Sequence, residues 1–233
     1  MKVLIGCPTH SRYRLCVDEY LRCVAALDYK DFKLVMADNS PDKELFRELV
    51  QKGVKVLGVD HYETARERIL QSRNLLRDVC LDEGFDYFLS LEQDLLVAPD
   101  TLSRLLAHQK DIVSAYYGDR KELLLKEEST GKIQKATVDI PIVYLSVRQG
   151  RIRRANPEEV LGKGLVKVGG MGLGCCLISR RVLEKVKFRY NPEHKAFDDM
   201  YFCEDAENLG FELYVDGSIV VRHLHQGWAG VKK

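Results

Sequence analysis

Along the first half of the chain, short apolar runs alternate with stretches in which apolar residues return every three or four positions. Val3-Leu4-Ile5 reads as a short buried strand ended by Cys7-Pro8, and from about 13 to 27 Leu15, Tyr20, Leu21, Val24 and Leu27 fall near helical spacing. Residues 32–37 (FKLVMA) give a second strand. Asp38-Asn39-Ser40-Pro41 is a turn and helix start, and the helix over 44–52 carries Leu45, Phe46 and Leu49 until Gly53 stops it. A third strand covers 54–59, and a long helix over 63–83 repeats Ile69, Leu70, Leu76, Val79 and Cys80 until Gly84. The fourth strand, 85–91 (FDYFLSL), runs straight into Glu92-Gln93-Asp94. Pro99 opens a helix to about Gln109, and 112–116 is a fifth strand.

This rhythm predicts an α/β fold, a mostly parallel central sheet flanked by helices, with right-handed crossovers. Such sheets take ligands beyond the carboxyl ends of their strands, which places Thr9, Asp38 and the Glu92-Asp94 pair on one rim. The rhythm breaks between about 117 and 168. Residues 119–132 are polar and charged, and extended pieces follow around 137–147 and at Arg151-Ile152-Arg153-Arg154. That stretch predicts a small β-rich insertion, with too few apolar residues for a core of its own. Order returns with the glycine-rich 169–174, the apolar CCLI, a helix capped by Ser179 and ending near Val186, and a helix over 198–209 stopped by Gly210. Strands over 211–215 and 218–221 precede His223 and His225, and the whole is expected to form one domain, 1–233.

Composition narrows the class. The chain has 233 residues, 45% of them apolar, enough for one sizeable core. Lys plus Arg number 36 against 35 Asp plus Glu, so no net field is available to hold a polyanion and no nucleic-acid partner is implied. The seven Cys are odd in number and form no CxxC, so they read as small buried hydrophobes in a reducing compartment. The first apolar run is too short for a signal peptide, and no stretch approaches the ~18 apolar residues of a membrane span. The expectation is a cytoplasmic protein, with peripheral association at the inner membrane surface left open.

The chemistry concentrates at the acidic strand end. Carboxylates just beyond a buried strand stay charged only when hydrogen-bonded or metal-bound, and hard oxygen ligands suit Mg2+ or Mn2+ bridging to phosphate oxygens. In an extended segment Glu92 and Asp94, at i and i+2, would point the same way; an acidic loop ahead of the Pro99 helix is the alternative. His223 and His225 share the same spacing after a buried strand, and either could complete a metal shell. The Gly169–Gly174 run offers either turns or close backbone approach to a ligand, and is neither a Rossmann fingerprint nor a P-loop. Asp198-Asp199 and Glu204-Asp205-Glu207 form a second acidic segment, which at a helix start is also good capping. Arg66, Arg68 and Arg73 on the long helix could reach a diphosphate or be solvated.

Taken together, IGCPTHSR, ADNSPD, QSRN, EQD, GGMGLGCCLISRRVL, DDMYFC with its downstream Gly210-Phe211, and VDGSIVVRHLH resemble, in order and spacing, the nucleotide-diphospho-sugar transferases of the GT-A fold, and within them the family 2-type glycosyltransferases. The resemblance implies a Rossmann-like nucleotide-sugar-binding fold with a nucleotide-binding half at 1–116, an insertion or lid at 117–168, and an acceptor and metal-completing half at 169–233. It implies that Pro8 and Thr9 line the nucleotide pocket, that Asp38 contacts base or ribose, and that Arg73 lies near sugar or diphosphate. Glu92-Gln93-Asp94 stands where the family has its DxD motif, with Asp94 the metal ligand and Glu92 nearer the ribose or a metal-bound water. His223 matches the late metal-binding His, with His225 as substitute.

The family's ED pair matches Asp198-Asp199, with Asp199 as base, although Asp replaces Glu at 198 and Glu204-Asp205 competes for the assignment. Gly170 would border donor sugar and acceptor. The implied reaction is metal-dependent transfer of a sugar from a UDP- or GDP-linked donor to a glycan, lipid or small-molecule acceptor, with inversion. The basic patch Arg148–Arg154 could touch lipid phosphates or an anionic acceptor, and the insertion could order as a lid. Two further readings keep the fold: a nucleotidyltransferase making a sugar nucleotide, and a non-catalytic nucleotide-sugar-binding protein.

Overall fold

The computed structural model describes residues 1–126, 133–147 and 151–224. Strand β1 is Val3–Thr9, followed by a 3-10 helix Ser11–Cys16, helix α1 Val17–Ala25, β2 Phe32–Asp38, α2 Glu44–Gln51, β3 Lys55–Gly58, α3 Ala65–Asp82 and β4 Tyr87–Leu91. Then come β5 Leu95–Leu96, α4 Thr101–Ala107 and β6 Ile112–Tyr116. The rhythm-breaking stretch holds β7 Gly118–Lys126, β8 Ile133–Pro141, β9 Val143–Ser146, β10 Ile152–Arg154, α5 Pro157–Val160 and β11 Leu165–Val168. The last part is β12 Gly170–Met171, β13 Cys175–Ser179, α6 Arg180–Leu183, α7 Asp198–Asn208, β14 Leu213–Val220 and β15 Arg222–His223.

The central sheet has eight strands in the order β11-β14-β6-β13-β4-β1-β2-β3. Parallel pairing joins β1 to β2 and β4, β2 to β3, and β14 to β6, whereas β13 runs antiparallel between β4 and β6 and β11 antiparallel on the edge. The expected α/β sheet with a β-rich insertion is thus present. Strand direction at β13 is the feature that periodicity could not carry, because a buried CCLI run looks the same either way.

Each strand feeds both faces. Val3, Ile5 and Cys7 pack under α1, α2 and α4 with Tyr20, Leu45 and Leu105, while Leu4, Val35 and Phe88 pack under α3, α6 and α7 with Leu76, Val182 and Phe202. Gly6 is bare because the Phe88 ring occupies the place a Cβ would take. The predicted stops at Gly84 and Gly210 are real: their φ values of 71° and 83° are left-handed, which ends a helix at little cost in glycine.

Three elements differ from expectation. The helix expected from 13 begins as the 3-10 helix, in which Tyr13 leaves helical geometry; its carbonyl is taken by the Gln93 side chain at 3.0 Å. The two expected strands over 211–221 are one strand, β14, whose register shifts around Gly217, where the Val160 carbonyl leaves no room for a side chain. The predicted helix to Val186 ends its regular part at Leu183. All seven Cys are unbridged, six of them buried. Among the described residues no helix is long and apolar enough to cross a membrane.

Candidate functional site

The parallel register sets Thr9 directly opposite Asp38, and β4 ends beside them, so the three strand ends share one rim as expected. Pro8, which has no N–H, lies beyond Gly6, the last β1 residue paired with β4. Beyond Leu91 the chain does not stay extended. Leu95 N–H bonds the Glu92 carbonyl at 3.0 Å, closing a turn over Glu92-Gln93-Asp94.

Gln93, in the middle of that turn, is buried and structural. Its Oε1 accepts from Thr9 Oγ1 at 2.5 Å and from His10 N–H at 3.1 Å, and its amide donates to the Tyr13 carbonyl. The side chain between the two acids thus ties the end of β4 to the segment after β1. Thr9, expected at the nucleotide, is 1% exposed and spends its hydroxyl on this tie.

Asp94 meets His223 because β15 pairs antiparallel with β5, setting His223 opposite Leu95, while Leu224 N–H bonds the Asp94 carbonyl at 2.8 Å. His223 Nδ1 lies 2.9 Å from the Gly118 carbonyl, which can only accept, so Nδ1 carries a proton. Nε2 then faces Asp94 Oδ2 at 3.2 Å. Burial alone would lower the His223 pKa, but the hydrogen bond and charge of Asp94 outweigh it and hold it at about 9. His225 lies outside the described residues.

Arg73 is the largest departure from the expected site. Instead of facing a diphosphate it is buried in α3, donating from Nη1 to Asp198 Oδ1 at 2.7 Å and from Nη2 to Glu92 Oε1 at 2.5 Å. One Glu92 oxygen is therefore committed to Arg73. Burial, opposed by Arg73 and reinforced by Asp94, raises the Glu92 pKa to about 7. Arg66 caps the His194 carbonyl and stacks on Tyr190, and Arg68 donates to the Tyr62 and Glu63 carbonyls.

The two acids that open α7 part company. Asp198 is 1% exposed and bound to Arg73, whereas Asp199 is only partly covered; burial and then the charge of Asp198 raise its pKa to about 6. Glu204 and Asp205 lie farther along α7 on its outer side, where Asp205 is gripped by Arg189 through two contacts of 2.7 Å. Gly170 pairs with Tyr144 in the β9–β12 ladder, and a Cβ there would stand 3.2 Å from Met200 Cε, beside Asp199.

Two further glycines of that run have a cause the sequence did not disclose. Buried Tyr117 lies over Gly172 and Gly174 and accepts the Gly174 N–H at 2.8 Å. Of the basic patch, Arg148 lies outside the described residues, Arg153 is paired with Glu159, and Arg154 stacks on Tyr144.

Glu92, Asp94, Asp198 and Asp199 thus converge with two cationic side chains, Arg73 and His223, and the site is short of positive charge. Among the described residues no three His, Cys, Asp or Glu side chains are grouped to enclose a metal. The Asp94–His223 pair nevertheless fits a divalent cation. A metal-bound imidazole characteristically donates its other N–H to a backbone carbonyl, as His223 does to Gly118, and Mg2+-type sites often combine one or two protein ligands with substrate phosphate oxygens and water.

No family model matches the chain, and no curated protein matches it. Among solved structures it is similar to S. aureus TarS, with a TM-score of 0.57 at 16% identity over 94% of this chain and 35% of that one. It is similar also to TarS 1-349 in complex with UDP-GlcNAc, with a TM-score of 0.56 at 16% identity over 94% of this chain and 56% of that one. A197 from STIV gives a TM-score of 0.50 at 17% identity over 96% of this chain and 85% of that one. The chain therefore spans about a third of the TarS chain and just over half of its shorter form. At these identities what is shared is the fold, an α/β architecture.

Proposed function

We propose that this chain transfers a sugar from a UDP- or GDP-linked donor to the hydroxyl of a glycan, lipid or small-molecule acceptor, using Mn2+ or Mg2+ held by Asp94 and His223. The observation that carries the reading is the orientation of His223. With Nδ1–H given to Gly118, Nε2 faces the Asp94 carboxylate at 3.2 Å, and a divalent cation can take the place of the proton shared by that pair. The likeness to a structure solved with UDP-GlcNAc supports the donor class.

When bound, the ion supplies charge neutralisation for the departing nucleoside diphosphate. Residues 1–116 hold the nucleotide, with Pro8 and Thr9 shaping the rim and Asp38 offering a free carboxylate oxygen. Within 169–224, His223 completes the metal site, and Gly170, without a side chain beside Met200, borders the acceptor. Asp199 removes the acceptor proton as the hydroxyl attacks the anomeric carbon, which inverts the sugar. A pKa of about 6 leaves it ionised near neutrality yet basic enough to accept that proton. Arg73 and Asp198 hold the first turn of α7 in place rather than touching substrate, and Glu92 is steadied from behind by Arg73.

The test is calorimetric titration of UDP and GDP into metal-free protein, with and without Mn2+, repeated on Asp94→Ala. Metal-dependent binding of a nucleoside diphosphate that disappears in the variant is the expected result. Folded protein that binds neither nucleotide under any condition overturns the proposal.

A further inference from the structure

A cleft of about 280 Å3 opens at the other end of the rim from Thr9 and Asp38, where β6 and β14 end and the chain turns into β7 and β15. Tyr116 and the exposed Val220 stand opposite each other in the β6–β14 ladder, and Val221 N–H bonds the Tyr116 carbonyl at 2.9 Å. Arg120 faces Asp139 at the foot of the β7–β8 ladder and closes the cleft from that side. His223 forms part of the wall, so the cleft adjoins the Asp94–His223 pair but lies away from the strand ends expected to hold the nucleotide.

Tyr116 is 6% exposed, yet among the described residues its hydroxyl meets no hydrogen-bond partner, and burial followed by the charge of Asp139 pushes its pKa up. Buried phenols normally find a partner, as the next residue does: the Tyr117 hydroxyl accepts from Gly174 N–H, and that of Tyr20 bonds the Leu91 carbonyl. The charges around the cleft are balanced in pairs. Arg120 donates from Nε to Asp139 Oδ1 at 3.1 Å, Arg222 contacts Glu19, and His223 faces Asp94. An anion entering the cleft would therefore meet Asp139 as well as Arg120, and a wholly apolar guest would leave the Tyr116 hydroxyl unmade. What fits is a neutral body with an apolar face for Val220 and Val221 and an edge of groups that both donate and accept.

We propose that this cleft holds one neutral sugar unit of the acceptor, bonded through its hydroxyls by Tyr116 and the Arg120–Asp139 pair and packed by its C–H face on Val220. A sugar hydroxyl is donor and acceptor at once, so neighbouring hydroxyls satisfy a carboxylate, a guanidinium and a phenol side by side without bringing charge. The volume lies just under the ~300–1,000 Å3 of sites for larger ligands, which suits a single ring. The inference rests on the sugar-transfer reading above and deepens it, choosing a glycan among the acceptors named there.

The experiment titrates the methyl glycosides of glucose, galactose, mannose and N-acetylglucosamine into metal-free, nucleotide-free protein and follows the amide NMR shifts of Tyr117, Gly118 and Val221, with inorganic phosphate and n-octanol as anionic and apolar controls. Wild type is compared with Tyr116→Phe, which removes only the hydroxyl, and Val220→Trp, which fills the cleft from an exposed position; circular dichroism confirms that each is folded. The expected result is at least one glycoside binding with a Kd of about 1–10 mM, roughly three- to tenfold more weakly in Tyr116→Phe and not at all in Val220→Trp. Tyr116→Phe should be no less stable to urea than wild type, because the hydroxyl has no protein partner to lose. A loss of stability there with sugar affinity unchanged assigns the hydroxyl to the fold and overturns the inference, as does a folded wild type that binds no glycoside or prefers phosphate or octanol. A glycoside that binds should also speed release of UDP or GDP from a donor sugar in wild type and not in Val220→Trp; binding without that increase overturns the assignment to the acceptor. Nucleotide titration with Mn2+ is read separately: binding intact in all three proteins while every glycoside fails refutes the cleft alone, and its absence in the wild type refutes the transfer reading and the acceptor role with it.

Discussion

The buried fork of Arg73 allows a prediction whose size follows from how differently its two arms are exposed. Arg73 is 3% and Asp198 1% exposed, whereas the Glu92 side chain is 31% exposed. Arg73→Met strands Asp198 as an uncompensated charge away from water, and breaking a buried pair in this way costs about 3–5 kcal/mol. The Glu92 arm is partly solvated, so Glu92→Gln alone should cost no more than about 1 kcal/mol. For a domain of this size the Arg73→Met loss corresponds to a fall in Tm of roughly 6–20 °C. Adding Asp198→Asn removes the stranded charge, so the double variant should recover part of the loss, with a coupling of about 1–3 kcal/mol in the cycle. The assay is urea unfolding of wild type, Arg73→Met, Asp198→Asn, their double variant and Glu92→Gln, followed by circular dichroism at pH 7. The reasoning is refuted if Arg73→Met loses under about 1 kcal/mol at unchanged m-value, if the cycle is additive, or if Glu92→Gln proves the costlier of the two carboxylate changes.

Further outcomes follow from other residues of the site. Asp199→Asn should abolish sugar transfer, measured as release of nucleoside diphosphate from a donor sugar, while nucleotide binding stays unchanged; in the wild type the rate should fall about tenfold per pH unit below about 6. The same raised pKa has a stability consequence: Asp199 binds its proton more tightly in the fold, so its contribution is present below the ordinary carboxylate range and is lost as pH rises through about 6. Asp199→Asn should therefore unfold at higher urea than wild type at pH 7, and equal midpoints at pH 7 would count against the burial of that charge. Gln93→Leu removes the acceptor shared by Thr9 and His10 N–H and should cost about 1–3 kcal/mol, with a weakened nucleotide affinity measured by titration. Gly172→Ala drives a methyl group into Tyr117 and to 2.9 Å from Ile142, for a loss of about 1–3 kcal/mol in the same unfolding assay.

How much of this was legible in the sequence depends on whether a property belongs to the backbone rhythm or to the direction of a side chain. The strand ends at Thr9, Asp38 and Leu91 were legible because apolar runs have sharp ends, and the parallel sheet then aligns those ends without further information. Asp94 and His223 could be shortlisted by type, but their meeting depends on a β5–β15 ladder of two residues a side, far below what periodicity detects. At i and i+2, Glu92 and Asp94 share a face only in an extended segment; the chain turns instead, and Gln93 between them ties the turn to the segment after β1. Tyr117 left a trace only in its partners, as a run of glycines that could equally have meant turns.

Arg73 shows why a charged residue cannot be assigned from its type alone. On an 18-residue helix one arginine differs from another only by the face it occupies, and Arg73 shares the buried face with Ser72, Leu76 and Cys80. A guanidinium on that face has to find carboxylates from other elements, since leaving it unpaired would cost more than a core can spare. The two it finds lie at the end of β4, where the sequence predicts the metal- and nucleotide-contacting acids, and at the start of α7, where it predicts the catalytic pair. The pairing sorts them. Asp198, fully buried on the arginine, is unsuited to accept a substrate proton, and its neighbour, left partly open and destabilised as an anion by that buried charge, is suited to do so. Asp198, one methylene shorter than a glutamate, still reaches Arg73 at 2.7 Å because the arginine comes to it through the core. If that geometry governs the chemistry, Asp198→Glu should overfill the buried pair and lower stability, while transfer keeps the same dependence on pH, since Asp199 still carries the proton. A change in the pH profile of Asp198→Glu without loss of stability would instead make 198 the base.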